Sequence, residues 1–224
     1  MQRLTANHSY NTMSRALRFL DLRLVRFPEL AEFHDLVVTA RKKLAEEHGA
    51  HVEAQEQRIA ATAEIGALDD GIDGTTLTLS SAALALFDRR REDPHYRKLF
   101  PQAASTLLTD VGGERQERFV GNVCATLKTD DVYAPLREKG LQLERLAEQL
   151  KQAQARRQDL WQQEAAQGAK YQMTADAIRR EYNALFHQFM LRMPGREAEI
   201  DTLFLQLSPS NHKTSGGGEA PVGE

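Results

Sequence analysis

Apolar side chains recur three or four positions apart along most of the chain, a spacing that predicts helices in series. From about Asn11, Met13, Leu17, Leu20 and Leu24 mark one face of a short amphipathic helix. Pro28 fits the first turn of the next helix, where its missing N–H costs nothing, and Glu29 and Glu32 complement the helix dipole. Phe33, Val37, Ala40, Leu44, Val52, Ile59 and Ala63 fall near one stripe, and no proline intervenes before Gly66. Residues 28–66 therefore read as one helix of about 58 Å at 1.5 Å per residue.

The stretch LDDGIDGTTLTLSS (68–81) breaks this pattern with Gly71 and Gly74 and reads as a loop. Ser80 or Ser81 is the expected N-cap of a third helix running through Phe87. Residues 91–101, with Pro94 and Pro101, read as a connection, and a short helix is expected over 102–109. A Gly-Gly turn then leads to a helix near 114–128 with Phe119, Val123 and Leu127 inward and Thr129 or Asp130 as the cap that follows.

From 131 to 193, steps of 3.6 residues land on or beside Leu150, Ala153, Arg157, Trp161, Ala165, Gly168, Tyr171, Ile178, Tyr182 and Phe189. A turn at Gly168 would reset that phase, so its preservation argues for one helix rather than a hairpin. Pro194-Gly195 ends it, and Ile200, Leu203, Phe204 and Leu207 give a last short helix one face to bury. The expected fold is all-α: an elongated helical bundle with two long helices plus several short ones, a single domain over 11–207. Residues 1–10 are expected to be loose, and the Gly/Ser/Pro-rich tail 208–224 disordered.

Both long helices are thin in the middle. Leu150, Ala153, Trp161, Ala165 and Gly168 offer mainly small side chains and one tryptophan, which suits close approach of another helix and marks an interaction seam. His48, His51 and Gln55 fall on or near the stripe of the first long helix, and Arg157 falls on the inward phase of the second. Together these four are the candidate polar, ligand-binding layer.

Composition narrows the function classes. The 224 residues are 41% hydrophobic with a net charge of −3, so an overall basic excess for wrapping nucleic acid is missing. The strongest basic cluster, Arg89, Arg90 and Arg91, is interrupted by Asp88, Glu92 and Asp93, which repel phosphate, and nucleic-acid binding through it is the weakest alternative. One cysteine, Cys124, excludes an internal disulfide and fits a reducing, cytoplasmic setting. Arg15, Arg18, Asp21 and Arg23 interrupt any apolar leader, and no stretch has the roughly 18–20 apolar residues that span a bilayer.

Motif chemistry is equally sparse. A calcium loop starting at Asp69 would need an oxygen donor at Gly71 and a glutamate at Ser80. The helical Glu-x-x-His pairs of di-metal bundles are missing, and the one literal match, Glu92 to His95, spans Pro94. No metal, cofactor or catalytic residue is expected. The reading is a non-catalytic helical scaffold or adaptor that binds a protein partner or a second copy of itself, with no membrane partner. The alternatives are a small-ligand- or metal-binding bundle with a polar site between helices, and the nucleic-acid reading.

Overall fold

The computed structural model describes residues 3–107 and 113–206. It is an all-α bundle, with no strand among the described residues. In chain order the helices are α1 (Tyr10–Leu24), α2 (Ala31–Leu86), α3 (Pro94–Leu99), α4 (Ala104–Leu107), α5 (Glu114–Thr129), α6 (Arg137–Arg192) and α7 (Glu197–Leu203). Short 3-10 turns at Pro28–Leu30 and Asp131–Leu136 lead into α2 and α6, which have 56 residues each.

The chain divides into two compact units. One is built from residues up to His48 and from Lys170 onward, the other from Gly49–Ala169. In the first unit the α1 stripe Met13, Leu17, Leu20 and Leu24 packs with Phe33, Val37 and Leu44 of α2, Ile178, Tyr182 and Phe189 of α6, and Ile200 and Leu203 of α7. Phe204 sits edge-on to Tyr182 with ring centroids 5.4 Å apart. In the second unit Ile65, Ile72 and Leu79 of α2 meet Tyr96 and Leu99 of α3, Phe119, Val123 and Leu127 of α5, and Leu143 and Leu150 of α6.

Near the N-terminus Leu4 is held against α6. Leu4 is buried, its N–H donates to Asn183 Oδ1 at 2.9 Å, and the Asn183 amide donates back to the Leu4 carbonyl at 2.9 Å. A single apolar residue with both backbone groups satisfied by one asparagine is enough to tie down a segment whose own sequence has no periodicity. The tail 208–224, together with Leu207 and residues 108 and 109 of the expected 102–109 helix, lies outside the described residues.

The largest departure is in α2, which runs through 68–81 instead of ending at Gly66. Its inward positions alternate four and three apart without a break: Phe33, Val37, Ala40, Leu44, Glu47, His51, Ala54, Arg58, Ala61, Ile65, Leu68, Ile72, Thr75, Leu79 and Ala82 are all buried or half-buried. Three glycines cost a helix about 1 kcal/mol each, whereas fully burying each of Ile72 and Leu79 returns about 1.5–3 kcal/mol, so continuity wins. Two hydroxyls of the segment bond back to the helix's own carbonyls. Thr78 donates to the Gly74 carbonyl at 2.7 Å and Ser81 to the Leu77 carbonyl at 3.0 Å. Ser80, expected as a cap, instead shares a 2.9 Å hydrogen bond with the Tyr96 hydroxyl.

The stop comes at Asp88 and Arg89, both left-handed (φ 52° and 59°), with the Arg89 N–H closing on the Leu84 carbonyl at 2.6 Å. The connection expected at 91–101 holds α3, because the Asp93 carboxylate accepts from the His95 and Tyr96 N–H groups and Pro94 occupies the first turn. Asp130 is the cap, accepting from the Val132 N–H at 3.1 Å. It opens the 3-10 turn containing Pro135, and α6 proper begins at Arg137 rather than at 131. Beyond that point α6 is continuous through Gly168, as the preserved phase required.

Candidate interaction surface

Two polar layers occupy the middles of the long helices, one in each unit. In the first unit His48 stacks on Tyr10 (centroids 3.8 Å apart, planes within 10°) and meets Tyr171 edge-on at 5.5 Å. Beside it Lys170 pairs with Glu47 at 3.0 Å, and burial pushes the Tyr171 hydroxyl above its ordinary pKa. His48 is thus a half-buried packing element between two rings. In the second unit the His51 ring lies over Gly168, where a Cβ would stand 3.2 Å from its Cε1. Arg58 pairs with Glu164 on the inward face, and Arg156 reaches Glu64 at 3.6 Å on one flank.

The four residues of the proposed polar layer are therefore distributed. His48 belongs to the first unit; in the second, His51 is half-buried while Gln55 and Arg157 are exposed. Further along the inward face of α6, Glu164 pairs with Arg58 of α2. Arg157 keeps the inward phase yet extends into solvent, as a long cationic side chain readily does.

Geometry also re-sorts the seam. Leu150 and Ala153 are buried in the second core, Gly168 is half-buried, and Trp161 and Ala165 are exposed. The inward positions of α6 in this stretch are Leu160, Glu164 and Gln167, one residue before those reached in steps of 3.6. Trp161 follows the inward Leu160 by one residue, about 100° round the helix, and that step takes the indole off the core.

Trp161 is consequently on a flank, 58% exposed, and Ile59 of α2 is 54% exposed. The antiparallel pair Arg156–Glu64 joins one flank of α2 to one flank of α6, so the opposite flanks adjoin on the other side. That other side carries Val52, Gln55, Ile59 and Thr62 from α2 and Gln154, Gln158, Trp161, Ala165 and Gly168 from α6. None is charged, although the remaining faces of the same segments hold Glu53, Glu56, Glu64, Arg156 and Asp159. In the sequence, the seven-residue repeat of α2 is the signal that sets Ile59 one position off the inward stripe.

Elsewhere in the second unit, the stretch DDGID lies on α2 and buries part of itself. Gln116 of α5, 2% exposed, donates to Asp69 Oδ1 at 2.8 Å. Burial, and then the neighbouring Asp69 and Asp70, hold the Asp73 carboxyl above the usual carboxylate range. Among the described residues no three His, Cys, Asp or Glu side chains are grouped to hold a metal ion. Arg89, Arg90 and Arg91 are exposed after the end of α2, and the nearby Arg97 is paired to Glu92. Cys124 is buried, and burial raises its thiol above the ordinary value, opposite to what a reactive cysteine needs.

No known protein family, curated protein or solved structure matches the chain. No helix among the described residues is long and apolar enough to cross a membrane.

Proposed function

We propose that the protein is a non-catalytic helical interaction module that binds a protein partner through the charge-free strip of its second unit. The observation that carries this reading is the exposure of Trp161 and Ile59 within that strip, on helices whose other faces are rich in charge. Tryptophan contributes a large contact area with few rotatable bonds and is enriched at the energetic centres of protein interfaces. Small and amide side chains around it, Ala165, Gln158 and Gln55, let another helix approach without burying an unpaired charge. Pairing of α2 with α6 as a coiled coil and a cytoplasmic setting, in keeping with one buried free thiol, belong to the same proposal.

A photo-activated cross-linker placed at Gln158, with a control at Gln163 on the opposite flank, tests it in an extract of the source cells. Adducts with defined protein bands from position 158 and not from 163 are expected. Equal labelling from both positions, or none from either, removes the strip as a binding surface.

A further inference from the structure

We infer that one occupant of the strip is a second copy of this chain, docked strip to strip as a weak, reversible dimer. The inference rests on the interaction reading above and commits it to a partner. The nine strip positions carry no charge, so two copies oppose no like charges between them, and the exposed Arg157 beside the strip keeps its guanidinium in solvent at the rim. A two-fold axis parallel to the helices lays α2 of each copy over α6 of the other, which sets Ile59 of one protomer against Trp161 of its partner. All four helices are then antiparallel to their neighbours, and the contact is closed rather than fibre-forming.

The size of the strip fixes the strength expected. From Gln154 to Gly168 is about 21 Å of helix, and two helices side by side are about 20 Å wide, so each copy contributes roughly 400 Å². A total of roughly 800 Å² is below the 1,200–2,000 Å² typical of stable complexes, which places the pairing among transient contacts that dissociate on dilution.

Trp161 is the sole tryptophan, so its emission reports directly on the strip. Sedimentation equilibrium and tryptophan emission of the full chain would be followed together from about 5 µM to about 1 mM, a range that brackets weak pairing. The mass is expected to rise from 25.2 kDa towards twice that value, with emission moving to shorter wavelength in step. Ile59→Glu and Trp161→Glu should hold the chain at monomer mass; both positions are exposed, and unchanged circular dichroism confirms the fold. A constant monomer mass with fixed emission overturns self-pairing, as does a dimer that survives both substitutions. If self-pairing fails while the Gln158 cross-linker still captures a different protein, the interaction reading stands and only this inference falls. If neither occurs, both fall.

Discussion

Replacing Gly74 with alanine asks directly whether residues 68–81 are helix. Gly74 is exposed inside α2, and a Cβ added there meets no atom within 4 Å, so the substitution changes little except backbone freedom. In a helix interior that is worth about 0.8–1.0 kcal/mol in favour of alanine, because glycine loses more conformational entropy on folding. Gly66 is equally open, so Gly66→Ala should give a similar gain. The double variant should approach about 2 kcal/mol, since the two sites are well separated. Each kcal/mol raises the melting temperature of a chain this size by about 2–4 °C.

Gly140 on α6 supplies the opposite sign. Its Cβ would stand 2.6 Å from the Leu127 Cδ1, and Leu127 is fully buried in the second core. The propensity gain there is opposed by about 1–3 kcal/mol of overpacking, for a net change from near zero to a loss of about 2 kcal/mol. Thermal and urea denaturation followed by circular dichroism would read all three. A neutral or destabilising Gly74→Ala would refute a continuous α2, because a loop glycine there gains nothing from helix propensity.

Asp73 carries the pH dependence. Its folded-state pKa is raised above the unfolded value by burial and by Asp69 and Asp70, so the folded state prefers the protonated form. That contribution to stability is fully present below the unfolded pKa and is lost as pH rises through the folded one. Asp73→Asn, which mimics the neutral form, should therefore melt higher than the wild type at pH 7, with the difference shrinking as pH falls and vanishing below about 3.8; a lower melting point at neutral pH would count against burial as the cause. Asn183→Ala removes both hydrogen bonds that hold Leu4 and should cost about 1–2 kcal/mol. The first residues should then exchange their amide hydrogens and be clipped by protease faster than in the wild type, and unchanged protection would show that burial of Leu4 alone anchors the segment.

The all-α class, the order of most helices, the inward faces of α1 and α5 and the continuity of α6 through Gly168 were legible in the sequence. Each rests on a local rule: helical spacing of leucines, a capping aspartate, or phase kept across a glycine. Where two local rules disagreed, tertiary packing decided. Gly71 and Gly74 argued for a loop over 68–81, but the α5 and α6 side chains around Ile72 and Leu79 made burial worth more than the glycines cost. The segment before Tyr10 has no periodicity of its own and is ordered by an asparagine 179 positions away.

The candidate surface shows the same division. Sequence alone located a thin middle with one tryptophan, because composition is local. Steps of 3.6 residues from Leu150 fall between Leu160 and Trp161, and the packing of α6 against α2 settles which of the two faces the core. In the sequence His48 was one of four candidates for a polar layer, because its phase on the helix is local information. That Tyr10 and Tyr171 enclose it is a fact of three dimensions, since rings from three separate helices meet only after the chain has folded.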